Sequence, residues 1–159
     1  MEGAPIAALV WAKATLVWGL FIWMALNVVN HLSDLKGTRH AVAAFMRMES
    51  LDQPPAIPSP LKWRRIDSAG LHAFALALVV VLQLVSALLF AWSAWWFARG
   101  DVRFATTAGV WAFSWFAAIW LLFLIAGAWF AYWLRQDALQ RTHLMLLLLA
   151  VAGSVLMGA

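Results

Sequence analysis

The chain of 159 residues is 65% hydrophobic and 11% charged, with a mean hydropathy of +0.84. Soluble domains are about half apolar and about a quarter charged, so this composition predicts a membrane protein. Cysteine is absent, which excludes disulfides, thiolate metal sites and cysteine nucleophiles. The net charge is +4, and the basic residues flank apolar segments, which favours lipid headgroup contact over nucleic-acid binding.

The first apolar segment covers about 10–30 and carries Lys13 near its outer end. A spanning helix takes about 20 apolar residues. A lysine close to the end of such a helix can extend its ammonium group to the headgroups, so we expect Lys13 at the membrane surface. No small-residue cleavage pattern follows, and we interpret the segment as a retained helix rather than a removed signal peptide.

The segment 31–66 holds half of the charged residues of the chain. Ser33 and Asp34 can cap a helix, and Gly37 marks a break or a late start. Helical spacing over about 38–50 predicts a short amphipathic helix that lies on the membrane surface with its basic side toward the headgroups. Its basic stripe holds Arg39, His40 and Arg47, and its apolar stripe holds Val42, Phe45 and Met48.

Two motifs connect that helix to the second span. The stretch "DQPPAIPSP" holds four of the five prolines and predicts a stiff extended connector. The stretch "KWRRID" then supplies a basic aromatic collar with Trp63, Arg64 and Arg65.

Three further apolar segments cover about 71–97, 104–133 and 143–158. The links between them are short, so consecutive helices should be antiparallel neighbours. The sequence therefore predicts an all-α fold: a single integral membrane domain, 1–159, built as a bundle of four transmembrane helices with an interfacial helix in the first loop.

The distribution of lysine and arginine predicts the orientation. The loops 31–70 and 134–142 lie on one side of the membrane and carry eight basic residues, against three on the other side. The positive-inside rule places these loops in the cytoplasm and both termini outside, in a bacterial inner membrane. The eight are Lys36, Arg39, Arg47, Lys62, Arg64, Arg65, Arg135 and Arg141, and the three are Lys13, Arg99 and Arg103.

The twelve tryptophans fall into two groups. Seven lie near predicted helix ends, as in an interfacial belt. Among the deeper ones, Trp111 and Trp115 are one turn apart on one face of the third span. Their ordinary role is packing against lipid or helices, and the alternative is an aromatic surface for a partner subunit, a pigment or a quinone. The belt comprises Trp11, Trp63, Trp92, Trp95, Trp96, Trp129 and Trp133, and the deeper group Trp18, Trp23, Trp111, Trp115 and Trp120.

Polar residues inside the spans are few. Gln83 and Asn27 are among the deepest, and such groups usually form hydrogen bonds between helices. With Lys13 assigned to an interface, no ionisable residue remains in a helix interior, which disfavours a transporter or a proton channel.

Histidine offers a further candidate cofactor site. His72 begins the second span and His143 begins the fourth, so both lie near the same membrane face. Two facing imidazoles could hold a b-type haem, or line a quinone pocket. A metal would need further ligands such as Asp34 or Asp67. The alternative role is a polar residue at the interface, and no cofactor is required by the sequence.

Four short motifs resemble a bacterial family described as predicted small integral membrane proteins, a domain of unknown function. In that family a similar "Asn-Asn-Leu-Thr-Asp" turn ends the first helix, and similar basic aromatic elements follow. The resemblance implies the fold and a membrane location but no activity. The matching stretches are "NHLSD" at 30–34, "AFMRMESLD" at 44–52, "WRRID" at 63–67 and "AGAWFAYWLRQ" at 126–136.

Two departures from the family pattern concern carboxylates. The family has Glu where this chain has Ala128, and it tends to carry Glu near the position of Gln83. If those carboxylates face each other in the family, the resemblance implies that this chain has lost any proton or metal chemistry they support.

These observations lead to a functional expectation of a non-catalytic accessory subunit of a larger bacterial inner-membrane complex, of respiratory, photosynthetic or oxidase type. Its partners would be the lipid bilayer and other membrane subunits. The alternatives are a small haem- or quinone-binding electron carrier that uses His72 and His143, and a transporter-like or lipid-handling protein. The expected interface residues are Arg39, His40, Phe45, Arg47, Trp63, Arg64, Arg65, Trp111, Trp115, Trp129 and Trp133.

Overall fold

The computed structural model describes residues 3–159, with side chains from Ile6 onward, and every regular element in that part of the chain is helical. Four of its five α-helices are long and apolar enough to cross a membrane, which confirms the predicted all-α bundle of four spans. The α-helices are α1 (Gly3–Ser33), α2 (Leu35–Met46), α3 (Ala69–Ala98), α4 (Val102–Trp129) and α5 (Asp137–Gly158), and short 3-10 helices cover Glu49–Leu51, Pro60–Arg64 and Tyr132–Leu134.

The spans pack in a chain of neighbours, with α1 against α3, α3 against α4 and α4 against α5. Three phenylalanines fill the centre: the ring of Phe90 meets those of Phe113 and Phe116 edge to face, at 5.0 and 5.7 Å. Small residues bring the helices close together, because lipid provides no hydrophobic drive and association depends on packing. At Gly153, for example, the backbone of α5 lies directly against the ring of Phe113.

The amphipathic helix of the first loop is present as α2. The carboxylate of Asp34 accepts a hydrogen bond from the Gly37 amide (2.9 Å) and caps its first turn. Its apolar side packs on protein: Met46 is buried, and the Phe45 ring meets Phe130 at 5.3 Å. Arg39 and His40 remain on the exposed side, as predicted.

Several helix ends differ from the sequence prediction. The first span begins at Gly3 instead of about 10, and the helix predicted over about 38–50 covers Leu35–Met46. The third span ends at Trp129 instead of 133, because Ala131 adopts left-handed backbone (φ 54°) and turns the chain into a 3-10 helix. The fourth span begins at Asp137 instead of 143, and a salt bridge of 2.7 Å between Asp137 and Arg141 joins successive turns there. Most of the predicted loop 134–142 is therefore helix.

The proline-rich segment also differs from the prediction of an extended connector. The Ile57 amide donates to the Leu51 carbonyl (2.9 Å), which folds 52–56 into a loop. Residues 35–66 thereby form a compact layer over one end of the bundle, which we call the cap. Its core is a buried cluster of Met46, Met48, Leu51, Phe130 and Ala131.

Candidate functional site

A groove lined by tryptophan lies between α3 and α4. Trp111 and Trp115, one turn apart on α4, converge there with Trp92 of the antiparallel α3. Trp115 is held in place by a hydrogen bond from its indole Nε1 to the Leu82 carbonyl (3.1 Å), whereas the Trp111 side chain is 64% exposed. The volume is about 450 Å³, and the lining of this tryptophan groove is Leu89, Trp92, Trp111, Ser114, Trp115 and Ala118.

The tryptophan groove is suited to binding rather than chemistry. None of its lining residues titrates in the ordinary pH range, and its one side-chain hydroxyl is that of the exposed Ser114. Indole faces and aliphatic side chains offer apolar contact area with defined geometry, which suits a ring system or the side chains of another helix.

The predicted collar residues come together at the cap. The guanidinium of Arg64 lies over the rings of Trp63 and Trp129, at 5.6 and 5.0 Å from their centroids, and its Nη1 donates to the Trp129 carbonyl (3.3 Å). The two indoles meet edge to face at 5.8 Å. This stack ties the cap to the end of α4, and it leaves the indole of Trp63 exposed.

Two of the basic residues expected at a lipid or partner interface, Arg47 and Arg65, also form ion pairs within the cap. Asp52 accepts hydrogen bonds from Lys62 (2.7 Å) and Arg65. These bonds, that from Lys62 first, hold the pKa of the Asp52 carboxyl below its usual value. Arg47 pairs with Glu49 at 2.7 Å. The predicted interface residues that remain exposed are Arg39, His40, Trp63, Trp111, Trp129 and Trp133.

His143 lies in an aromatic surround near the start of α5. The rings of Phe123, Trp120 and Tyr132 are 5.3, 5.5 and 6.0 Å from the imidazole. Three buried polar atoms there have no hydrogen-bond partner in the described part of the chain: His143 Nδ1, Trp120 Nε1 and the Tyr132 hydroxyl. We call this group the histidine chamber, and sequence patterns did not reveal it because Tyr132 enters from the turn after α4.

His72 occupies a different environment. Its buried imidazole places Nε2 at 2.7 Å from the Ile66 carbonyl, where the chain enters α3. His72 lies on α3 and His143 lies on α5, and these two helices do not pack extensively against each other. Within residues 3–159, no cluster of three or more histidine, aspartate or glutamate side chains forms a metal site.

Lys13 is the clearest functional candidate that the sequence pattern misplaced. Its side chain is only 6% exposed, although we expected it to reach the headgroups. It extends the buried stripe of α1, four residues before Val17, so its position faces the other helices rather than lipid. The spacing of the stripe could have revealed this. The stripe comprises Lys13, Val17, Leu20, Met24 and Val28.

Residues 9–158 match the family described as "Predicted small integral membrane protein (DUF2165)". The chain belongs to this family. No curated protein and no solved structure matches it.

The four family-like motifs meet in the cap of this family member. The stretch 30–34 ends α1 and supplies the capping Asp34, and 44–52 contributes three residues of the buried cluster. The stretches 63–67 and 126–136 supply the Arg64 stack and the left-handed turn at Ala131. These four stretches of the chain therefore take part in the closure of the cap over the bundle.

Gln83 and Ala128, the two positions for which the resemblance implies carboxylates in the family, lie at different depths. The hydrogen bond from Trp115 to the Leu82 carbonyl places Gln83 level with the middle of α4. Ala128 is thirteen residues beyond Trp115, about 20 Å along the helix at 1.5 Å per residue. Side chains at these two positions do not face each other.

Proposed function

We propose that this family member is a non-catalytic accessory subunit of a larger bacterial inner-membrane complex, of respiratory, photosynthetic or oxidase type. The tryptophan groove receives a transmembrane helix of the partner subunit. The observation that carries the proposal is the convergence of Trp92, Trp111 and Trp115 in one concave, lipid-facing groove.

The depth of the groove supports a protein partner. Tryptophans that merely anchor a helix lie at the membrane–water interface. Trp111 lies nine residues into α4, about 14 Å from its first residue, and its indole remains largely exposed. A groove of about 450 Å³ can accept several large side chains of a neighbouring helix. The absence of a titratable group from its lining fits a docking role.

The topology completes the proposal. The loops 31–70 and 134–142 lie in the cytoplasm by the excess of lysine and arginine, so the cap faces the cytoplasm and its exposed residues contact headgroups or partner domains. Cysteine-accessibility labelling tests this orientation, since the natural chain has no cysteine. In His40→Cys, a thiol reagent that cannot cross the membrane should react only after the cytoplasmic face is made accessible. Reaction from the outside of intact cells would show that the topology is the opposite one.

The test is copurification with matched tryptophan variants. A tagged chain extracted from its native membrane in mild detergent should carry a partner at fixed stoichiometry, and Trp111→Leu should lose it. Trp18→Leu is the control, because Trp18 is a deep, exposed tryptophan on α1 that lies outside the groove. Purification as a monodisperse monomer without a partner, or equal retention by both variants, would overturn the proposal.

The second candidate is a small b-haem or quinone-binding electron carrier. The unpartnered His143 Nδ1 and Tyr132 hydroxyl favour it, because buried polar atoms without partners often mark a bound molecule. His72 lies on another helix and is engaged with the Ile66 carbonyl at 2.7 Å, so His143 alone carries this candidate. The purified protein should show a Soret band or yield a quinone on extraction, and His143→Ala should lose it. A colourless protein without quinone would exclude this function.

A further inference from the structure

We propose that a second groove, between α3 and the corner where α1 meets α2, binds one anionic phospholipid. Its phosphate lies on the guanidinium of Arg39, and one acyl chain lies along α3. This site is separate from the tryptophan groove and does not depend on the proposed partner.

The shape and lining of the groove define a site for a hydrocarbon chain with a charged end. The volume is about 430 Å³, and the only charged side chain in the lining is that of Arg39. The corner between α1 and α2 supplies one wall, and two turns of α3 supply the other. The lining comprises Leu32, Leu35, Arg39, Ala73, Leu76, Ala77, Val80 and Val81.

The position of Arg39 is fixed by the protein. Its Nη2 donates to the carbonyl of Ala69, the first residue of α3 (3.1 Å), so the guanidinium lies where that span begins. A guanidinium has five N–H donors in a planar fork, and one bond to a carbonyl leaves donors free for a phosphate. The side chain of Arg39 therefore lies at headgroup level and retains the capacity to bind an anion.

The groove runs along α3 for most of the depth of one leaflet. Its lining on α3 extends from Ala73 to Val81, eight residues or about 12 Å at 1.5 Å per residue. The hydrocarbon core of a bilayer is about 30 Å thick, so one leaflet contributes about 15 Å. A lipid whose phosphate lies on Arg39 would therefore keep most of one acyl chain in the groove.

The surrounding charge favours an anionic lipid over a zwitterionic one. Lys36 and His40 lie on the same short helix as Arg39, and both are exposed. The nearby carboxylate of Asp34 is engaged with the Gly37 amide (2.9 Å). Juxtamembrane basic residues attract anionic lipids more strongly than zwitterionic ones.

The test measures lipid bound to the delipidated, full-length protein by native mass spectrometry. Phosphatidylglycerol should bind more tightly than phosphatidylcholine of the same chain length. Arg39→Ala should weaken phosphatidylglycerol about ten-fold, which corresponds to about 1.4 kcal/mol, and remove the preference. Arg39→Lys should retain part of it, and Arg103→Ala is the control, because Arg103 lies at the start of α4, at the other end of the bundle from Arg39.

A second variant tests the acyl chain independently of the charge. Ala77→Phe places a ring inside the groove and keeps Arg39, so it should weaken both lipids. Equal binding of the two lipids by the natural chain, unchanged binding in Arg39→Ala, or displacement of the lipid by glycerophosphate alone would overturn the proposal. Trp111→Leu should bind phosphatidylglycerol like the natural chain, so a missing protein partner and a missing lipid site are distinguishable.

Discussion

The phenol ring of Tyr132 stacks on the imidazole of His143 at a centroid distance of 6.0 Å, and neither the Tyr132 hydroxyl nor His143 Nδ1 has a hydrogen-bond partner in the described part of the chain. This contact joins the turn after α4 to the start of α5. A buried hydroxyl without a partner costs about 1–3 kcal/mol. The unpartnered polar atoms of the histidine chamber therefore lower the stability of the fold.

The first prediction concerns alkaline pH. Burial raises the pKa of the Tyr132 phenol above its ordinary value of 10.0. A group whose folded-state pKa is raised leaves stability unchanged below the unfolded-state pKa and reduces it as pH rises toward the folded-state pKa. We expect the free energy of unfolding in detergent to fall above pH 10, and Tyr132→Phe to remove that part of the fall.

The chain itself supplies the control for this prediction. Tyr132 is the only tyrosine, so the phenolate absorbance of the folded protein reports this residue alone. We also expect Tyr132→Phe to raise stability at pH 8 by about 1 kcal/mol, because it removes a buried hydroxyl without a partner. A phenolate titration at the ordinary pKa, or a large loss of stability in Tyr132→Phe, would contradict the prediction.

The second prediction concerns the ion pairs of the cap. Asp52→Asn should loosen the segment that Lys62 and Arg65 anchor, and trypsin should cleave there faster. Because the pKa of Asp52 is lowered, its contribution is present above the unfolded-state pKa and is lost at pH values below 3.8. Asp137→Asn is the control, since Asp137 pairs with Arg141 on α5, and it should leave the rate of cleavage in the cap unchanged.

The four spans could be predicted from the sequence because length and apolarity are local properties, and each span needs only its own residues to satisfy its backbone. The cap could not be predicted in the same way. Its closure depends on contacts between segments far apart in the chain, such as Arg64 with the Trp129 carbonyl and Arg135 with the Pro55 carbonyl. Met48 and Ala131 adopt left-handed backbone, a conformation that glycine usually marks in a sequence, and neither residue is glycine.

The candidate site shows the same division. The spacing of Trp111 and Trp115 predicted a shared face, but the contribution of Trp92 depends on how α3 lies beside α4. Lys13 was assigned to the membrane surface because of its distance from the end of the span. The depth of a residue along a helix does not determine whether its side chain faces the protein or the lipid. The buried stripe that Lys13 shares with Val17 determines this.

The third prediction concerns the buried lysine of α1. No carboxylate in the described part of the chain lies within salt-bridge distance of Lys13, and a lysine on the protein-facing side of a span without an ion-pair partner is costly. We expect Lys13→Met to raise the stability of the isolated protein by about 1 kcal/mol or more, because the methionine keeps the apolar contacts. Lys36→Met on the exposed side of α2 is the control. If Lys13→Met destabilises the protein more than Lys36→Met, the lysine has a structural partner and the prediction is wrong.

The fourth prediction concerns the contact between α4 and α5. A Cβ atom at Gly153 would overlap the ring of Phe113, which is fully buried and packs edge to face against Phe90 at 5.0 Å. Gly153→Ala should therefore destabilise the bundle by about 1–3 kcal/mol, measured by unfolding in detergent. Gly19→Ala is the matched control: nothing lies within 4 Å of a Cβ there, and the change should be neutral or stabilising by up to about 1 kcal/mol from helix propensity.

A double variant, Gly153→Ala with Phe113→Leu, should recover part of the loss, because the smaller side chain makes room for the methyl group. If Gly153→Ala and Gly19→Ala had the same effect, α4 and α5 would not pack as closely as the Gly153–Phe113 contact requires.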